Sequence, residues 1–186
     1  SLLLSAGLSA SLILGSPAFA EEAATDTAAS SITTNQISGW PQGPEITSEA
    51  AVILEDSTGT TLYAKNMDEV LYPGSTVKIM TCLLALENSN LTDEVTMTAT
   101  GVSGVTDGGA NISAQLDEVF TMEQCLYAIM VASANDIALQ VAEHIGGSVE
   151  NFVAMMNTRA AQLGCTNTVF TNPTGLPDEN QHTTAH

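Results

Sequence analysis

The chain has 186 residues, room for one ordinary domain, and carries a formal net charge of −18, with only Lys65, Lys78 and Arg159 as fixed cations. So acidic a segment lacks the cationic surface that nucleic-acid backbones require, and it has no basic patch for anionic lipid, so both are excluded as partners of this segment. The carboxylates themselves read as a solvated, self-repelling surface.

The elements follow in chain order. Leu2 to Leu14 is apolar and rich in small residues, and Ala18-Phe19-Ala20 precedes Glu21-Glu22. An apolar core followed by a small-x-small site reads as a secretory signal peptide over residues 1–20. The other reading is a membrane anchor, but Ser and Gly interrupt the run, and it is short for a span of about 20 apolar residues. Residues 21–46 are rich in Ala, Thr, Ser, Asn, Gln, Gly and Pro and read as a linker, which leaves 47–186 as the folded unit.

Ala51-Val52-Ile53-Leu54 suits a buried strand, Asp56-Ser57-Thr58-Gly59 is turn chemistry, and Thr60 to Lys65 suits a second strand, which together predict a β-hairpin. Tyr72-Pro73-Gly74 breaks the chain. A helix is predicted from Thr76 to about Leu86, and Val77, Ile79, Met80, Leu83, Leu84 and Leu86 spread over its whole circumference. A helix apolar all round is a buried one, so Ser75 and Lys78 near its start need a reason.

Residues 88–120 are polar and Gly-rich and predict loops and short elements. Thr121 and Gln124 fit a capping box that opens a helix over Met122–Ala132. A second helix, about Asp136 to Ile145, stops at Gly146-Gly147, and a third, about Val149 to Leu163, stops at Gly164. Met155, Met156, Phe152 and Leu163 read as core packing of that third helix. Cys82, Cys125 and Cys165 form no C-x-x-C pair. Their odd number leaves at least one thiol free, and the apolar runs around Cys82 and Cys125 predict buried free thiols.

Ser75-Thr76-Val77-Lys78 is an S-x-x-K tetrad, and residues three apart on a helix share a face. That spacing brings an amine within reach of a hydroxyl. Serine becomes a nucleophile when a base takes its proton, and burial lowers a lysine pKa toward that role. The helix N-terminus adds a positive dipole end where an oxyanion could form. The competing reading is a capping serine and a surface lysine. Ser133-Ala134-Asn135 falls at the junction of two helices, where Ser and Asn also serve as caps. S-x-x-K followed by S-x-N is nevertheless a two-part signature.

With these residues in view, the chain resembles the penicillin-binding D-alanyl-D-alanine carboxypeptidases. Leu71 to Thr81 is similar to their first motif and Ile129 to Asp136 to their second. The stretch Asn167 to Gly175, with Phe170, Asn172, Pro173 and Gly175, is similar to their segment after the third helix. The opening hairpin is similar too, although the Asp56-to-Gly59 spacing is one residue tighter.

The resemblance implies an α/β, β-lactamase/transpeptidase-like fold, an antiparallel sheet flanked by helices with a helical lobe between the two motifs. It implies Ser75 as the acylated nucleophile and Lys78 as the proton acceptor. Ser133 would relay a proton to the leaving D-alanine, and Asn135 would orient the substrate amide. No metal or organic cofactor is implied. The implied partners are peptidoglycan peptides ending in D-Ala-D-Ala, with β-lactam antibiotics as inhibitors. The implied location is the outer face of a bacterial cytoplasmic membrane, the cell wall or the periplasm. A serine β-lactamase and a non-catalytic cell-wall binding protein of the same fold are the alternatives.

The sequence departs from the family pattern twice. Ala134 stands where glycine is usual. The third motif, K-T-G or close to it, is absent, and no lysine follows Lys78. The expectation is therefore an N-terminal part of the catalytic domain, with the remaining strands and any membrane attachment in sequence absent here. His182 and His186 are spaced as in some zinc helices but lack a third ligand, and His144 reads as a helix surface residue. Asn90-Leu91-Thr92 and Asn111-Ile112-Ser113 match the glycosylation pattern and read as chance in a bacterial family.

Overall fold

The computed structural model describes residues 33–104 and 109–186. The expected signal peptide and the first part of the expected linker lie outside the described residues.

Strand β1 (Ala51–Leu54) pairs antiparallel with β2 (Thr61–Lys65), with Ala51 opposite Lys65 and Ile53 opposite Tyr63. Glu55 ties the connecting turn by accepting from the amides and hydroxyls of Ser57 and Thr58. Those bonds, led by the Thr58 and Ser57 hydroxyls, hold its carboxyl down at about 2. Ile53, Leu54 and Leu62 of this hairpin stay exposed.

The reading of 21–46 as linker is corrected over its second half. Thr34 is buried, and its hydroxyl donates to the Ala64 carbonyl and accepts from the Ala64 amide, along the outer edge of β2. The Trp40 indole donates to the Leu62 carbonyl, and the Tyr63 hydroxyl donates to the Pro44 carbonyl. A hydroxyl both donates and accepts, so one threonine can satisfy an edge residue without any hydrophobic periodicity.

A 3₁₀ turn, Gly74–Thr76, runs into helix α1 (Val77–Asn88). Strand β3 (Glu94–Thr96), helix α2 (Ala99–Ser103) and strand β4 (Val119–Thr121) follow, and β3 and β4 form a second antiparallel pair with Val95 opposite Phe120. Helix α3 (Met122–Ala132) opens with the expected capping box, Thr121 and Gln124 bonding reciprocally. Helix α4 (Asn135–Gly146) ends at Gly147 in the left-handed region, and α5 (Val149–Gln162) starts at the Ser148 cap.

Helix α4 is the axis of the helical lobe. Ile137, Ala138, Val141 and Ala142 are fully buried, between α1 and α3 on one side and α5 on another. Cys125, Ile129 and Met122 of α3 close one half of the core; Phe152 and Met156 of α5 close the other with Val77, Met80 and Leu84 of α1. Each large side chain buried in this way contributes about 1.5–3 kcal/mol relative to exposure. All three cysteines are free, Cys82 and Cys125 buried and Cys165 half-buried.

Helix α1 is not buried on every side. Val77, Lys78, Met80, Thr81, Cys82, Leu84 and Ala85 face the core, while Ile79 is 62% and Leu86 57% exposed. Ile79 faces outward because that side of the helix forms the wall of a cleft. No helix among the described residues is long and apolar enough to cross a membrane.

Candidate active site

The cleft has a volume of about 310 Å³ and is lined by Ser75, Thr76, Lys78, Ile79, Ile129, Met130 and Ser133. Ser75 lies in the 3₁₀ turn rather than in α1 itself. A 3₁₀ turn has three residues per turn, so positions three apart eclipse, and Lys78 is carried over Ser75. Lys78 Nζ reaches Ser75 Oγ at 3.4 Å. Ser133 Oγ reaches the same oxygen at 3.3 Å from the far end of α3. Both bonds are longer than the 2.6–3.2 Å of a tight catalytic contact, as is common before substrate closes a site.

Lys78 is 3% exposed, and burial pushes its amine below the ordinary lysine value of 10.5, with Cys82 one turn on acting in the opposite sense. Cys82 is itself pushed up to about 11 by burial, so it stays a neutral thiol beside the amine. A lowered amine is what a lysine base needs, because only the neutral form can take a proton.

Ser133 ends α3 with φ 54°, ψ 33°. This left-handed conformation is uncommon for a residue with a Cβ, and it turns the hydroxyl back toward Ser75. Ala134 has φ −62° and is fully buried, so the position where the family usually has glycine does not need a positive φ in this chain.

Asn135 is placed differently from the expectation. It is 3% exposed, does not line the cleft, and its side-chain nitrogen packs against Gly109, where a Cβ would come within 2.3 Å of it. Its Oδ1 is buried without a hydrogen-bond partner among the described residues. The structure thus brings Ser75, Lys78 and Ser133 together and leaves Asn135 behind them. Next to it, buried Asp136 accepts from the amides of Ile112 and Ala114 and pins that segment to the start of α4.

Two partners in the site were not visible in the motifs. Lys78 Nζ donates to the Thr174 carbonyl at 2.5 Å, and the Thr81 hydroxyl donates to the Pro173 carbonyl at 2.7 Å. The segment around them touches the start of α1 through backbone. Gly175 has φ +79°, and a Cβ there would fall 2.0 Å from the Gly74 oxygen. The run Asn172-Pro173-Thr174-Gly175 was the only signal, and it named a segment without a role.

His182 and His186 each lie beside an oxygen atom. His182 Nδ1 lies 2.9 Å from the Asn180 carbonyl, and His186 lies 3.3 Å from Asp68. A largely apolar groove of about 350 Å³, lined by Leu91, Glu123, Leu126, Tyr127, Met130 and Val131, adjoins the cleft through Met130.

The profile of one protein family, described as D-alanyl-D-alanine carboxypeptidase, peptidase family S11, matches residues 37–186. The chain belongs to this family. Its relatives include the D-alanyl-D-alanine carboxypeptidase DacF of Bacillus subtilis, 40% identical over 143 residues, which covers 74% of this chain and 36% of that protein. DacA of Haemophilus influenzae is 34% identical over 147 residues, covering 76% of this chain and 37% of its own length. Among solved structures, penicillin-binding protein 5 of Haemophilus influenzae superposes with a TM-score of 0.72 at 33% identity, over 78% of this chain and 44% of that one. The carboxypeptidase DacD of Francisella tularensis does so with a TM-score of 0.72 at 32% identity, over 78% and 36%. The chain thus spans well under half the length of these relatives. The hairpin, helical lobe and cleft are the transpeptidase-like fold of these structures, as the sequence implied.

Proposed function

We propose that the whole protein is an exported bacterial serine D-Ala-D-Ala carboxypeptidase, acting at the cell wall on peptidoglycan peptides. The observation that carries this reading is the convergence of three groups in one cleft: Ser75 Oγ, with Lys78 Nζ at 3.4 Å and Ser133 Oγ at 3.3 Å. Family membership supplies the substrate class.

Neutral Lys78 takes the Ser75 proton as Oγ attacks the carbonyl carbon of the penultimate D-alanine. The oxyanion forms near the N-terminus of α1, whose dipole favours negative charge. As the carbon–nitrogen bond breaks, the leaving D-alanine nitrogen takes the Ser133 hydroxyl proton, and Lys78 returns a proton to Ser133. Water then attacks the acyl carbon and gives its proton to Lys78. The Ser75 oxygen leaves and recovers that proton, which frees the shortened peptide. For Asn135 to orient the substrate amide, its side chain must turn from behind the cleft toward the substrate; its Oδ1 has no hydrogen-bond partner among the described residues. A β-lactam acylates the same serine, and its slow release makes it an inhibitor.

The test uses the whole protein. Mass spectrometry after penicillin treatment should place the adduct on the peptide that contains Ser75, and a D-Ala-D-Ala peptide should lose one D-alanine. Rapid turnover of penicillin would make the protein a β-lactamase instead. No acyl-enzyme with either ligand, or an adduct that survives Ser75→Ala, would overturn the reading and favour a binding protein.

A further inference from the structure

The shortest contact of Lys78 is with the Thr174 carbonyl at 2.5 Å, while Ser75 Oγ stands 3.4 Å away. A carbonyl only accepts, so this bond occupies one N–H of the amine in either protonation state. In the neutral amine, an N–H held on the carbonyl keeps the lone pair out of that direction and leaves it only the two remaining staggered directions about the terminal C–N bond. Among the described residues no carboxylate reaches Nζ, so Thr174 supplies the orienting partner that a base requires.

The Thr174 carbonyl is held in turn by Asn172. Asn172 Oδ1 accepts from the Thr174 amide at 3.1 Å, the Thr174 hydroxyl at 2.8 Å and the Gly175 amide at 2.8 Å, and its Nδ2 donates to the Leu176 carbonyl at 3.0 Å. Gln181, 2% exposed, accepts from the Thr171 and Asn172 amides. Asn172 does not line the cleft. We propose that Asn172 is a positioning residue for acyl transfer, aiming the Lys78 amine at Ser75 through the Thr174 carbonyl. The proposal rests on the acyl-transfer reading above and deepens it.

The test is the rate of Ser75 acylation by a fluorescent penicillin in the whole protein, from about pH 5 to pH 10, expressed per folded molecule. Asn172→Ala frees the loop. The high-pH plateau should fall by about 10- to 100-fold, the scale of a misaimed catalytic group. Its acid limb should also move to lower pH, because the carbonyl dipole that favoured the ammonium is displaced. Asn172→Asp keeps an oxygen for the same three donors and should hold the plateau within a few-fold, with the limb moved to higher pH by its charge. If Asn172→Ala does not fold, Asn172→Ser, which keeps a shorter acceptor, should fall between the two. A profile of the folded alanine or serine variant that superimposes on the wild type would overturn the inference and leave acyl transfer standing. So would an aspartate variant as impaired as the alanine or serine one. Absence of any wild-type adduct would overturn both.

Discussion

The hydroxyl of Ser133 lies 3.3 Å from that of Ser75, although 58 residues separate them. Ser133 holds this place in a left-handed backbone at the end of α3, a conformation that costs a residue with a Cβ on the order of 1 kcal/mol. Glycine occupies that conformation freely, so Ser133→Gly separates fold from chemistry. Its thermal stability should be unchanged or higher by up to about 1 kcal/mol. Its turnover of a D-Ala-D-Ala peptide should fall by about 10²-fold, the scale of a lost proton-transfer group. A glycine variant that is less stable yet fully active would show that Ser133 only ends the helix.

Lys78 is the proposed base, and its burial sets the pH at which it works. Only the neutral amine accepts the Ser75 proton, so acylation should rise with pH and level off above the Lys78 pKa. Burial has lowered that pKa below the ordinary lysine value of 10.5, which shifts the rising limb toward neutral pH. Lys78→Arg keeps the positive charge but does not lose its proton. Penicillin acylation of the arginine variant should fall by about 10²–10⁴-fold across the whole range. Near-wild-type acylation would remove the base role.

Asn135 has a buried Oδ1 with no partner among the described residues, a state that costs about 1–3 kcal/mol where it persists. Asn135→Ala removes that unsatisfied atom, so its melting temperature should hold or rise. If the side chain orients substrate, peptide turnover should drop by about 10²-fold, the cost of a misplaced reacting group. A fall in melting temperature with an unchanged rate per folded molecule would make it a structural residue only.

How much of this was legible in the sequence follows from the range of each interaction. The α3 capping box is written in residues three apart, and Gly147 marks the end of α4, so both appear in a single reading. The tetrad placed Lys78 over Ser75 for the same reason. The β3–β4 pair joins Val95 to Phe120 through three-residue strands, too short for alternation to register. Thr34 docks on Ala64 with a hydroxyl, which carries no hydrophobic signal. The Thr174 carbonyl is backbone, present at every residue, so only the fold shows that it reaches Lys78 across 96 positions. Asn135 was assigned from its motif, and the motif does not encode the side-chain rotation that turns it toward Gly109.

Glu143 of α4 joins α2 to the lobe and gives it a pH-dependent stability. Its carboxylate accepts from the Thr98 hydroxyl at 2.5 Å, the Thr100 hydroxyl at 2.7 Å and the Gln140 amide nitrogen at 2.9 Å. The Thr98 bond first, then Thr100, holds its carboxyl below the ordinary value of 4.5. A carboxyl whose folded pKa is depressed binds fewer protons folded than unfolded in the window between the two values. Its stabilisation is therefore complete above about pH 5 and is lost as pH falls through the folded pKa. Glu143→Gln keeps the shape but loses the charge that strengthens the threonine bonds, a cost of about 1 kcal/mol. Urea unfolding of the whole protein should show wild type and variant separated by that amount from pH 5 to 7. The two should converge as the pH falls through the folded Glu143 pKa, below 4.5, where the wild-type carboxyl is protonated too. Curves that stay parallel over the whole range would show that the charge on Glu143 is not linked to folding.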